Sequence, residues 1–587
     1  MALVKLTIDD KEVQAEAGTT ILEAAKLAGV HIPTLCYLKD INAIGACRVC
    51  VVEVKGARTL QAACVTPVSN GMVVRTNSPQ VRKSRRLTVE LILSDHPYEC
   101  PTCVRNLNCE LQQLAESLGV RGVRFQGERT HRVPDVSTPS IIRDQDKCIL
   151  CRRCVSVCEK VQGVSAVGML ERGLSTTVGP AFGESLMDAA CVLCGQCTLV
   201  CPVGALHEKE YIDDVWAAIA DPNKHVVVQT APAVRVSIGE MFGLPIGAVT
   251  TGKLVAALRA LGFDRVFDTD FTADLTIMEE GHELIQRLTK GGVLPMFTSC
   301  SPGWIKFMEH FYPEYLANLS TCKSPQQMFG ALAKTFYAQK AGIDPADIVV
   351  VSIMPCTAKK FEASRSEMNA SGYRDVDYVL TTRELARMIK QAGLEFTSLR
   401  DEEYDEPLGI STGAAVIFGA TGGVMEAALR TAYEVVTKET LPSLDFTEVR
   451  GLEGVKESQV KLGDITLKVA VAHGLSNARA VMERLRRGEA DYHFVEVMCC
   501  PGGCIGGGGQ PIPTTIEERM RRIEGIYQAD RDLPIRKSHE NPAVVALYKE
   551  FLGRPLGHKS HELLHTHYVV RGRYPRAAQD VLRVPAD

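Results

Sequence analysis

The 21 cysteines constrain the fold of this chain more than any other feature of its sequence. Fifteen lie before residue 202, in groups of three or four whose neighbouring members are two to thirteen residues apart. A secreted disulfide framework is one explanation of many cysteines, but it is typical of short chains with an export signal. This chain has 587 residues, and its start, MALVKLTIDD, contains no apolar segment behind a basic one. The spacing therefore predicts metal sites.

The composition narrows the class of protein further. A net charge of −4 argues against the strongly basic surface that binds nucleic acid. The sequence contains no run of about 18 apolar residues, so no membrane span is predicted. With 45% hydrophobic residues over this length, we expect about three to five domains with cores of their own. We expect a cytoplasmic protein without nucleic-acid or membrane partners.

Residues 1–80 are predicted to form a small β-rich domain. The segment KLTIDDKEVQAEAG predicts a hairpin that turns at Asp9 and Asp10, and TILEAAKLAG predicts a helix that ends at Gly29. Four cysteines follow with the spacing C-x10-C-x2-C-x13-C: Cys36, Cys47, Cys50 and Cys64. They suit a [2Fe–2S] cluster in a β-grasp domain. Structural zinc is the alternative, although zinc sites usually pair two CxxC motifs.

A second group, in residues 81–140, combines a histidine with three cysteines. A predicted helix, SRRLTVELILSD, leads into the spacing H-x3-C-x2-C-x5-C, formed by His96, Cys100, Cys103 and Cys109. One imidazole and three thiolates bind either zinc or a [4Fe–4S] cluster. The neighbouring cysteine groups favour the cluster.

Residues 141–212 contain one cysteine pattern twice. The second copy, C-x2-C-x2-C-x3-C-P, comprises Cys191, Cys194, Cys197 and Cys201, and the first comprises Cys148, Cys151, Cys154 and Cys158. In two-cluster ferredoxins the fourth cysteine of each run ligates the other cluster. We therefore expect Cys201 to join the first run and Cys158 to join the second, each around a [4Fe–4S] cluster. Four clusters near one end of the chain indicate an electron-transfer chain.

From residue 222 to 512 the sequence predicts an α/β domain. Runs such as HVVVQTAPAV and DIVVVSIMPC alternate with helical segments such as GKLVAALRALG. Five of the last six cysteines lie in three motifs: TSCSPGW (298–304), MPCTAKKFE (354–362) and EVMCCPGGCIGGGGQP (496–511). A further cluster assembled from distant loops explains them, and buried cysteines in glycine-rich turns are the alternative. Residues 513–570 are predicted to be helical and charged, and 571–587 to form a surface tail.

The three motifs resemble the signatures of the active-site H-cluster in [FeFe] hydrogenases. The resemblance covers about residues 1–570 and is closest to NAD(P)-linked, often electron-bifurcating, multisubunit members. It implies a [4Fe–4S] cubane bridged to a two-iron unit that carries CO, cyanide and an azadithiolate. Cys356, Cys500 and Cys504 would bind the cubane, with Cys504 as the bridge, and Lys359 would hydrogen-bond a cyanide. The implied pocket-lining residues are Pro232, Gln326, Met354 and Met498.

The resemblance also implies a proton relay. Cys300 matches the thiol that delivers protons, and Glu280, Glu283 and Ser320 match the groups that connect this thiol to solvent. Without the resemblance, the two glutamates would only indicate a solvated helix face, because residues three apart share one side of a helix. A thiol suits proton transfer because its pKa of about 8.5 lies near neutral pH.

Two positions depart from the family pattern. Ser301 stands where the fourth cubane cysteine is expected, and Cys499 stands where alanine is usual. Each is a candidate fourth ligand. Neighbouring residues of an extended segment point to opposite faces, which favours Ser301 over the neighbour of Cys500, although serine is a harder ligand than thiolate. An altered or incomplete H-cluster is the remaining alternative.

The predicted function is reversible H₂ formation by the catalytic subunit of a hetero-oligomeric hydrogenase. The GGGGQP segment follows a cysteine loop and does not open a strand–helix unit, so no nucleotide site is predicted. Flavin- and NAD(P)-binding iron–sulfur subunits are the expected partners, with ferredoxin as a further candidate. One alternative is an electron-transfer subunit with an inactive H-cluster in another oxidoreductase, such as a formate dehydrogenase. A redox or H₂ sensor is a third interpretation.

Overall fold

The computed structural model describes residues 2–125, 127, 129, 131–463 and 465–573. Its first elements are β1 Leu3–Ile8, β2 Lys11–Glu16, α1 Ile21–Leu27, β3 Val51–Val54, β4 Gln61–Ala62 and β5 Val73–Arg75. The strands form one sheet in the order β2-β1-β5-β3-β4. Asp9 and Asp10 have positive φ angles of 47° and 65°, so the hairpin turn matches the twist of its strands. The predicted hairpin and helix are both confirmed.

One helix precedes the histidine and cysteine group, and a second helix follows it. They are α2 Pro79–Ser94 and α3 Glu110–Ser117. The helix α2 contains the predicted segment but begins earlier. Ser78 accepts a hydrogen bond from the Val81 N–H at 3.3 Å, and Pro79 suits the first turn of a helix.

Residues 141–208 contain only short elements. They are β6 Ile141–Arg143, α4 Arg153–Ser156, β7 Gly168–Leu170, β8 Thr177–Gly179, α5 Gln196–Val200 and β9 Leu206–Glu208. The pairs β6–β9 and β7–β8 are antiparallel. The helices α4 and α5 lie one in each cysteine run, and each follows a left-handed residue, Arg152 or Gly195. The two runs therefore share one local geometry, as the repeated spacing predicts.

The α/β domain contains two four-stranded sheets. Their strands are β10 His225–Thr230, β11 Arg265–Asp268, β12 Met296–Phe297, β13 Ile348–Met354, β14 Tyr378–Thr381, β15 Val455–Leu462, β16 Ile465–His473 and β17 Phe494–Met498. The first sheet has the order β11-β10-β13-β14 and is parallel throughout. The second has the order β12-β17-β16-β15 and is antiparallel only between β15 and β16. The run Val226–Val228 is buried, as expected of a parallel strand covered on both faces.

Helices cover both sheets. They are α6 Ile212–Ala220, α7 Thr251–Ala260, α8 Thr269–Lys290, α9 Pro302–Phe311, α10 Pro325–Leu332, α11 Ala338–Ala341, α12 Ala358–Ala363, α13 Thr382–Gln391, α14 Gly413–Val416, α15 Gly423–Thr437 and α16 Leu475–Arg486. The long helix α8 packs against both α10 and α15. It is buried along most of its length, which places the two predicted relay glutamates inside the protein.

The C-terminal residues are helical, as predicted. They form α17 Ile516–Asp532, α18 Pro542–Leu547 and α19 His558–Leu564. The described start of the predicted tail lies against α9, where Arg571 Nε donates to Glu309 at 2.6 Å. Residues 574–587 of that tail lie outside the described residues. Among the helices that are described, none combines the length and apolarity needed to cross a membrane.

Candidate active site and its electron-transfer chain

The structure brings the four cysteines of the first group together. Cys36, Cys50 and Cys64 are buried, and Cys47 is half-buried. Hydrogen bonding between the thiols lowers the pKa of Cys36 and raises the pKa of Cys47 and Cys64, so these thiols are immediate neighbours. Four adjacent sulfur atoms are the donor set that a [2Fe–2S] cluster requires.

Asn42 connects this group to the next one. Its fully buried amide nitrogen donates to the carbonyl oxygens of Cys36 at 2.7 Å and Cys151 at 3.1 Å. Its Oδ1 accepts from Ser156 Oγ at 2.8 Å. The hydrogen bonds keep two cysteine groups adjacent, as electron transfer between them requires.

Two cavities each contain four cysteines of the paired runs. The first, of about 440 Å³, is lined by Cys148, Cys151, Cys154 and Cys201. The second, of about 550 Å³, is lined by Cys158, Cys191, Cys194 and Cys197. These are the sets expected if the fourth cysteines exchange partners. Burial raises the pKa of most of these thiols, to about 12 for Cys158, whereas a hydrogen bond with Cys499 lowers the pKa of Cys194. For the thiols with a raised pKa, a metal cation is needed to favour the thiolate form. Both donor sets fit a [4Fe–4S] cluster.

His96 is poised as a neutral imidazole. Among the described residues, its Nδ1 is buried and has no hydrogen-bond partner, and burial lowers the pKa of His96 to about 4. Neutral imidazole is the form that binds metals. Cys103 Sγ lies 2.7 Å from where a Cβ on Gly204 would be, so this group abuts the ferredoxin domain just beyond Cys201.

We predict that His96→Cys lowers the reduction potential of the cluster at this site. A neutral ligand would give way to an anionic thiolate, which stabilises the oxidised cluster, as the higher potentials of histidine-ligated centres indicate. A redox titration followed by EPR measures the shift. Cys322→Ala, at a buried cysteine outside this group, is the control. An unchanged potential in His96→Cys would show that His96 is not a ligand.

The three motifs of the α/β domain meet at a cavity of about 780 Å³. Pro232 follows β10, Met354 ends β13 and Met498 ends β17, and all three line it. The carboxyl ends of parallel strands are the usual location of binding sites in α/β folds. Gln326, from α10, completes the predicted lining set.

Three of the cavity cysteines are the predicted cubane ligands. Cys356, Cys500 and Cys504 all line the cavity. Burial raises the pKa of Cys356, and the proximity of Cys500 and Cys504 raises it further. A set of mutually close, buried thiols fits an iron–sulfur cubane, because the iron ions would balance the negative charge of the thiolates.

The glycine run after Cys504 has a role that the sequence did not predict. A Cβ on Gly507 would lie 2.2 Å from the Pro355 carbonyl oxygen, and one on Gly508 would lie 2.4 Å from that of Cys194. The missing side chains leave room for a bulky inorganic group. Here they also let the third motif pack directly on the backbone of the second motif and of the ferredoxin domain.

Lys359 places a cationic group at the same cavity. Its Nζ donates to Glu362 Oε2 at 2.9 Å, and it is 8% exposed. Ser324 Oγ and Gln326 Nε2 donate to the same carboxylate oxygen at 2.8 and 3.0 Å. The shared carboxylate fixes the ammonium group in the cavity wall, where its other N–H bonds can meet an anionic ligand.

The structure changes which of Ser301 and Cys499 is the better candidate for the fourth cubane ligand. The strand β17 ends at Met498, and the chain bends at the next two residues. Cys499 and Cys500 therefore line one cavity, contrary to the strand alternation expected from the sequence. The nearby Cys194 and Cys500 thiols, together with burial, raise the pKa of Cys499 well above its usual value. Ser301 also lines the cavity, and its Oγ accepts a hydrogen bond from the Cys499 N–H at 3.2 Å.

The predicted relay residues lie in one buried chain from the cavity. Cys300 lines the cavity, and burial followed by the proximity of Glu280 raises the pKa of its thiol. Burial and the neighbouring Glu283 raise the pKa of Glu280 to about 8, against a lowering contribution from Ser320. Ser320 Oγ donates to Glu283 Oε2 at 2.9 Å. Both carboxylate oxygens of Glu280 are buried and have no hydrogen-bond partner among the described residues, so the four groups are neighbours but do not form a continuous hydrogen-bonded chain.

Sequence reasoning missed several partners of this relay. Arg287 donates to Glu283 Oε1 at 2.6 Å, and Thr321 bonds to both Glu283 and His565. The pair Glu283–Arg287 has the i,i+4 spacing of a helical ion pair, which is a signal that the sequence contains. His565 lies 282 positions from Glu283 in the chain, so only the fold shows their proximity.

Electrons have a contiguous path to the cavity. Cys194 lines both the 550 Å³ cavity of the ferredoxin domain and the 780 Å³ cavity of the α/β domain. Thr357 Oγ1 donates to the Leu193 carbonyl oxygen at 2.8 Å, and Gln196 Nε2 donates to that of Gly506 at 2.8 Å. These hydrogen bonds fix the two sites against each other.

Comparison with family models accounts for most of the chain. Residues 224–508 match the iron-only hydrogenase large subunit, C-terminal domain, and 516–571 match the iron hydrogenase small subunit. Residues 1–79 match a 2Fe-2S iron–sulfur cluster binding domain. Residues 85–124 match the NADH-ubiquinone oxidoreductase-G iron–sulfur binding region, and 138–207 match the ferredoxin-like domain of NADH-quinone oxidoreductase subunit 3. The predicted multidomain α+β and α/β fold class and the predicted cluster types are confirmed.

Individual proteins similar to this chain are also hydrogenases. The NADP-reducing hydrogenase subunit HndD of Solidesulfovibrio fructosivorans is 53% identical over 98% of this chain and 100% of its own length. Iron hydrogenase 1 of Clostridium pasteurianum is 43% identical over 96% of this chain and 99% of its own. A solved structure of [FeFe]-hydrogenase HydA1 from Chlamydomonas reinhardtii is 47% identical over 62% of this chain and 99% of its own, with a TM-score of 0.56. The chain therefore belongs to the [FeFe] hydrogenase family, as the three cysteine motifs predicted.

Proposed function

We propose that the chain catalyses 2H⁺ + 2e⁻ ⇌ H₂ as the iron–sulfur subunit of an NAD(P)-linked hydrogenase. The observation that carries the proposal is the 780 Å³ cavity, where the three cubane cysteines and the relay thiol Cys300 meet. Cys194 brings the electron-transfer chain to its wall, and Glu280 lies behind Cys300. Electrons and protons, the two reactants of H₂ formation, would thus reach the same cavity.

The cavity residues fit the H-cluster that the family implies. Cys356, Cys500 and Cys504 would hold the cubane, with Cys504 as the bridging residue, and Lys359 would donate to a cyanide of the two-iron unit. We propose Cys499 as the fourth cubane ligand, because its thiol is softer than the Ser301 hydroxyl and the bend after β17 turns it into the cavity. When bound, the H-cluster supplies the metal centre at which protons and electrons combine.

The relay residues would move protons to and from that centre. The high pKa of Cys300 keeps its thiol protonated and able to donate. Glu280, with a pKa of about 8, is an acid below that pH and can restore the proton. Ser320, which lies beside Glu280, donates to Glu283 and would pass protons between the two carboxyl groups. Pro232, Gln326, Met354 and Met498 would exclude water from the reacting groups.

We predict that H₂ production falls as pH rises through about 8. Above that pH the carboxyl group of Glu280 is ionised, so the relay carries one proton fewer. The pH profile of H₂ production with an artificial electron donor measures this. Glu280→Gln should lose the transition near pH 8 together with most of the activity. A transition that persists unchanged in this variant would assign it to another group.

The proposed partners supply the flavin and NAD(P) sites that this chain is not predicted to have. We propose a hetero-oligomer in the cytoplasm, in which flavin- and NAD(P)-binding iron–sulfur subunits, with ferredoxin as a further candidate, exchange electrons with this chain. The resemblance of residues 85–124 and 138–207 to NADH oxidoreductase subunits supports it, as does the NADP-reducing relative. We further propose domains at 1–80, 81–140, 141–212 and 222–512, followed by a helical segment at 513–570 and a tail at 571–587.

An assay of the matured chain, alone and with its flavoprotein partner, tests this function. The chain alone should oxidise H₂ with an artificial one-electron acceptor, and NADP⁺ or NAD⁺ should be reduced only when the partner is added. Robust NAD(P)H oxidation by the isolated chain would contradict the division of roles. Electron transfer without any H₂ chemistry would favour the alternative function, in which this chain is an electron-transfer subunit of another oxidoreductase, such as a formate dehydrogenase.

A further inference from the structure

Hydrogen bonds continue from Glu283, the last of the predicted relay residues, to groups that the sequence did not indicate. Its carboxylate accepts from the Thr321 N–H at 3.1 Å, and Thr321 Oγ1 lies 3.4 Å from Oε2. Arg287 occupies the other carboxylate oxygen, but a guanidinium group does not release its proton at accessible pH. The Cys322 thiol lies 3.8 Å from Oε2, but among the described hydrogen bonds it is the Thr321 hydroxyl that also reaches a further titratable group.

Thr321 leads to a histidine of the C-terminal segment. Its Oγ1 lies 2.8 Å from His565 Nδ1. The two segments are also joined through their backbones, because Lys323 N donates to Leu564 O and Thr566 N donates to Thr321 O, each at 2.8 Å. The contact between hydroxyl and imidazole is thus built into the fold.

Glu279 determines which nitrogen of His565 faces the relay as a base. Its Oε2 lies 3.2 Å from His565 Nε2. Burial raises the pKa of Glu279, but hydrogen bonds from His565, Ser560 and Tyr548 outweigh it and hold this pKa below its usual value. A carboxylate requires a donor, so we assign the Nε2 proton to the bond with Glu279. Nδ1 then accepts from Thr321 when the ring is neutral and donates to it when the ring is cationic.

His565 lies between the relay and the surface. It is 7% exposed, and its ring stacks on that of the exposed His561 with centroids 4.3 Å apart. The titratable groups that face it are Glu279, Glu283, Cys322, Tyr548 and His561.

We propose that His565 exchanges protons with Glu283 through the Thr321 hydroxyl and forms the outer end of the relay. The inference rests on the proposed function. In the inward step, the Thr321 O–H bond breaks as its proton bonds to the Glu283 carboxylate, and the His565 Nδ1–H bond breaks as its proton bonds to Thr321 Oγ1. Glu283 becomes an acid and the imidazolium becomes neutral, so charge is conserved. A proton from bulk solvent restores the imidazolium before the next step, and H₂ oxidation reverses the sequence.

The chain provides a matched control. His539 makes the same two kinds of contact as His565, since its Nε2 lies 3.0 Å from Glu434 Oε2 and its Nδ1 lies 3.2 Å from Thr431 Oγ1. Both of those partners lie on α15 and not on the relay. His539→Gln thus removes an equivalent histidine that also anchors the C-terminal residues, and it should leave proton transfer unchanged.

Infrared spectroscopy after a pH jump, on protein without the two-iron unit, tests the proton exchange independently of activity. The carboxylic C=O band of Glu283 is identified by its loss in Glu283→Gln. After a jump to lower pH this band should appear more slowly in His565→Gln and Thr321→Val than in the wild type, whereas His539→Gln should match the wild type. Unchanged rates in both relay variants would overturn the proposal. Absence of H₂ turnover in the wild type would instead overturn the proposed function, and the infrared rates would still be decisive for this exchange.

A kinetic measurement on the matured enzyme completes the test. His565→Gln and Thr321→Val should lower the H₂ oxidation rate about tenfold or more and change its pH profile, because each removes a group that transfers protons. Thr321→Ser keeps the hydroxyl and should restore both. A fall in Tm equal to that of His539→Gln, with rate and pH profile unchanged, would show that His565 only anchors the segment and would overturn the proposal.

Discussion

Cys300→Ala is expected to lower H₂ turnover about a hundredfold or more while the accessory clusters remain reducible. The thiol of Cys300 lines the active-site cavity, and Glu280 lies close behind it, so the substitution removes the titratable group that stands between Glu280 and the cavity. Loss of a general acid–base group typically costs about 10²–10⁴ in rate. Turnover with an artificial electron carrier, together with EPR of the reduced protein, measures both effects.

Cys300→Ser separates proton transfer from the shape of the cavity. A hydroxyl fills nearly the same space but releases its proton far less readily than a thiol. We expect this variant to remain nearly as slow as Cys300→Ala, with wild-type iron content. Wild-type turnover in either variant would remove Cys300 from the relay.

Cys499→Ala is expected to remove the active-site cubane, with a loss of about four irons per chain. Ser301→Ala should retain it. The bend after β17 places the Cys499 thiol in the cavity with Cys500, whereas Ser301 Oγ already accepts the Cys499 N–H. Thiolate is also the softer ligand and the better match to cluster iron. Iron analysis and EPR of protein that lacks the two-iron unit give the result without any assay of H₂.

Two further variants make this comparison decisive. The double variant Ser301→Cys, Cys499→Ala restores the common family pattern and should regain the cubane. Cys322→Ala, at a buried cysteine outside the cavity, should keep its iron. Loss of the cubane in Ser301→Ala with retention in Cys499→Ala would assign the fourth ligand to Ser301. Retention in both single variants would mean that neither side chain is required.

The cysteine groups of the accessory sites could be predicted from the sequence because their members are mostly close neighbours in the chain. A spacing such as that of Cys191, Cys194 and Cys197 depends on local turns, and Gly195 supplies the left-handed residue there. Even the exchange of Cys158 and Cys201 between runs follows from the repeated pattern. The structure adds the residues that hold these cysteine groups together, such as Asn42. An asparagine is too common in sequences for its presence alone to indicate such a role.

The active site was predictable only in part, because its residues come from distant segments. The three motifs could be recognised, but the orientation of Cys499 depends on where β17 ends. The roles of Gly507 and Gly508 depend on which backbones approach them. The contact between Thr321 and His565 depends on how the C-terminal helices pack onto α8 and α10, and no local pattern specifies it.

The central claim is that this chain assembles an H-cluster in the 780 Å³ cavity and uses it for H₂ chemistry. An infrared spectrum of protein matured with the two-iron unit tests it most directly. We predict CO and cyanide stretching bands that shift when H₂ is added, with the cyanide bands altered in Lys359→Ala. A spectrum without such bands, or with bands that do not respond to H₂, would contradict the account.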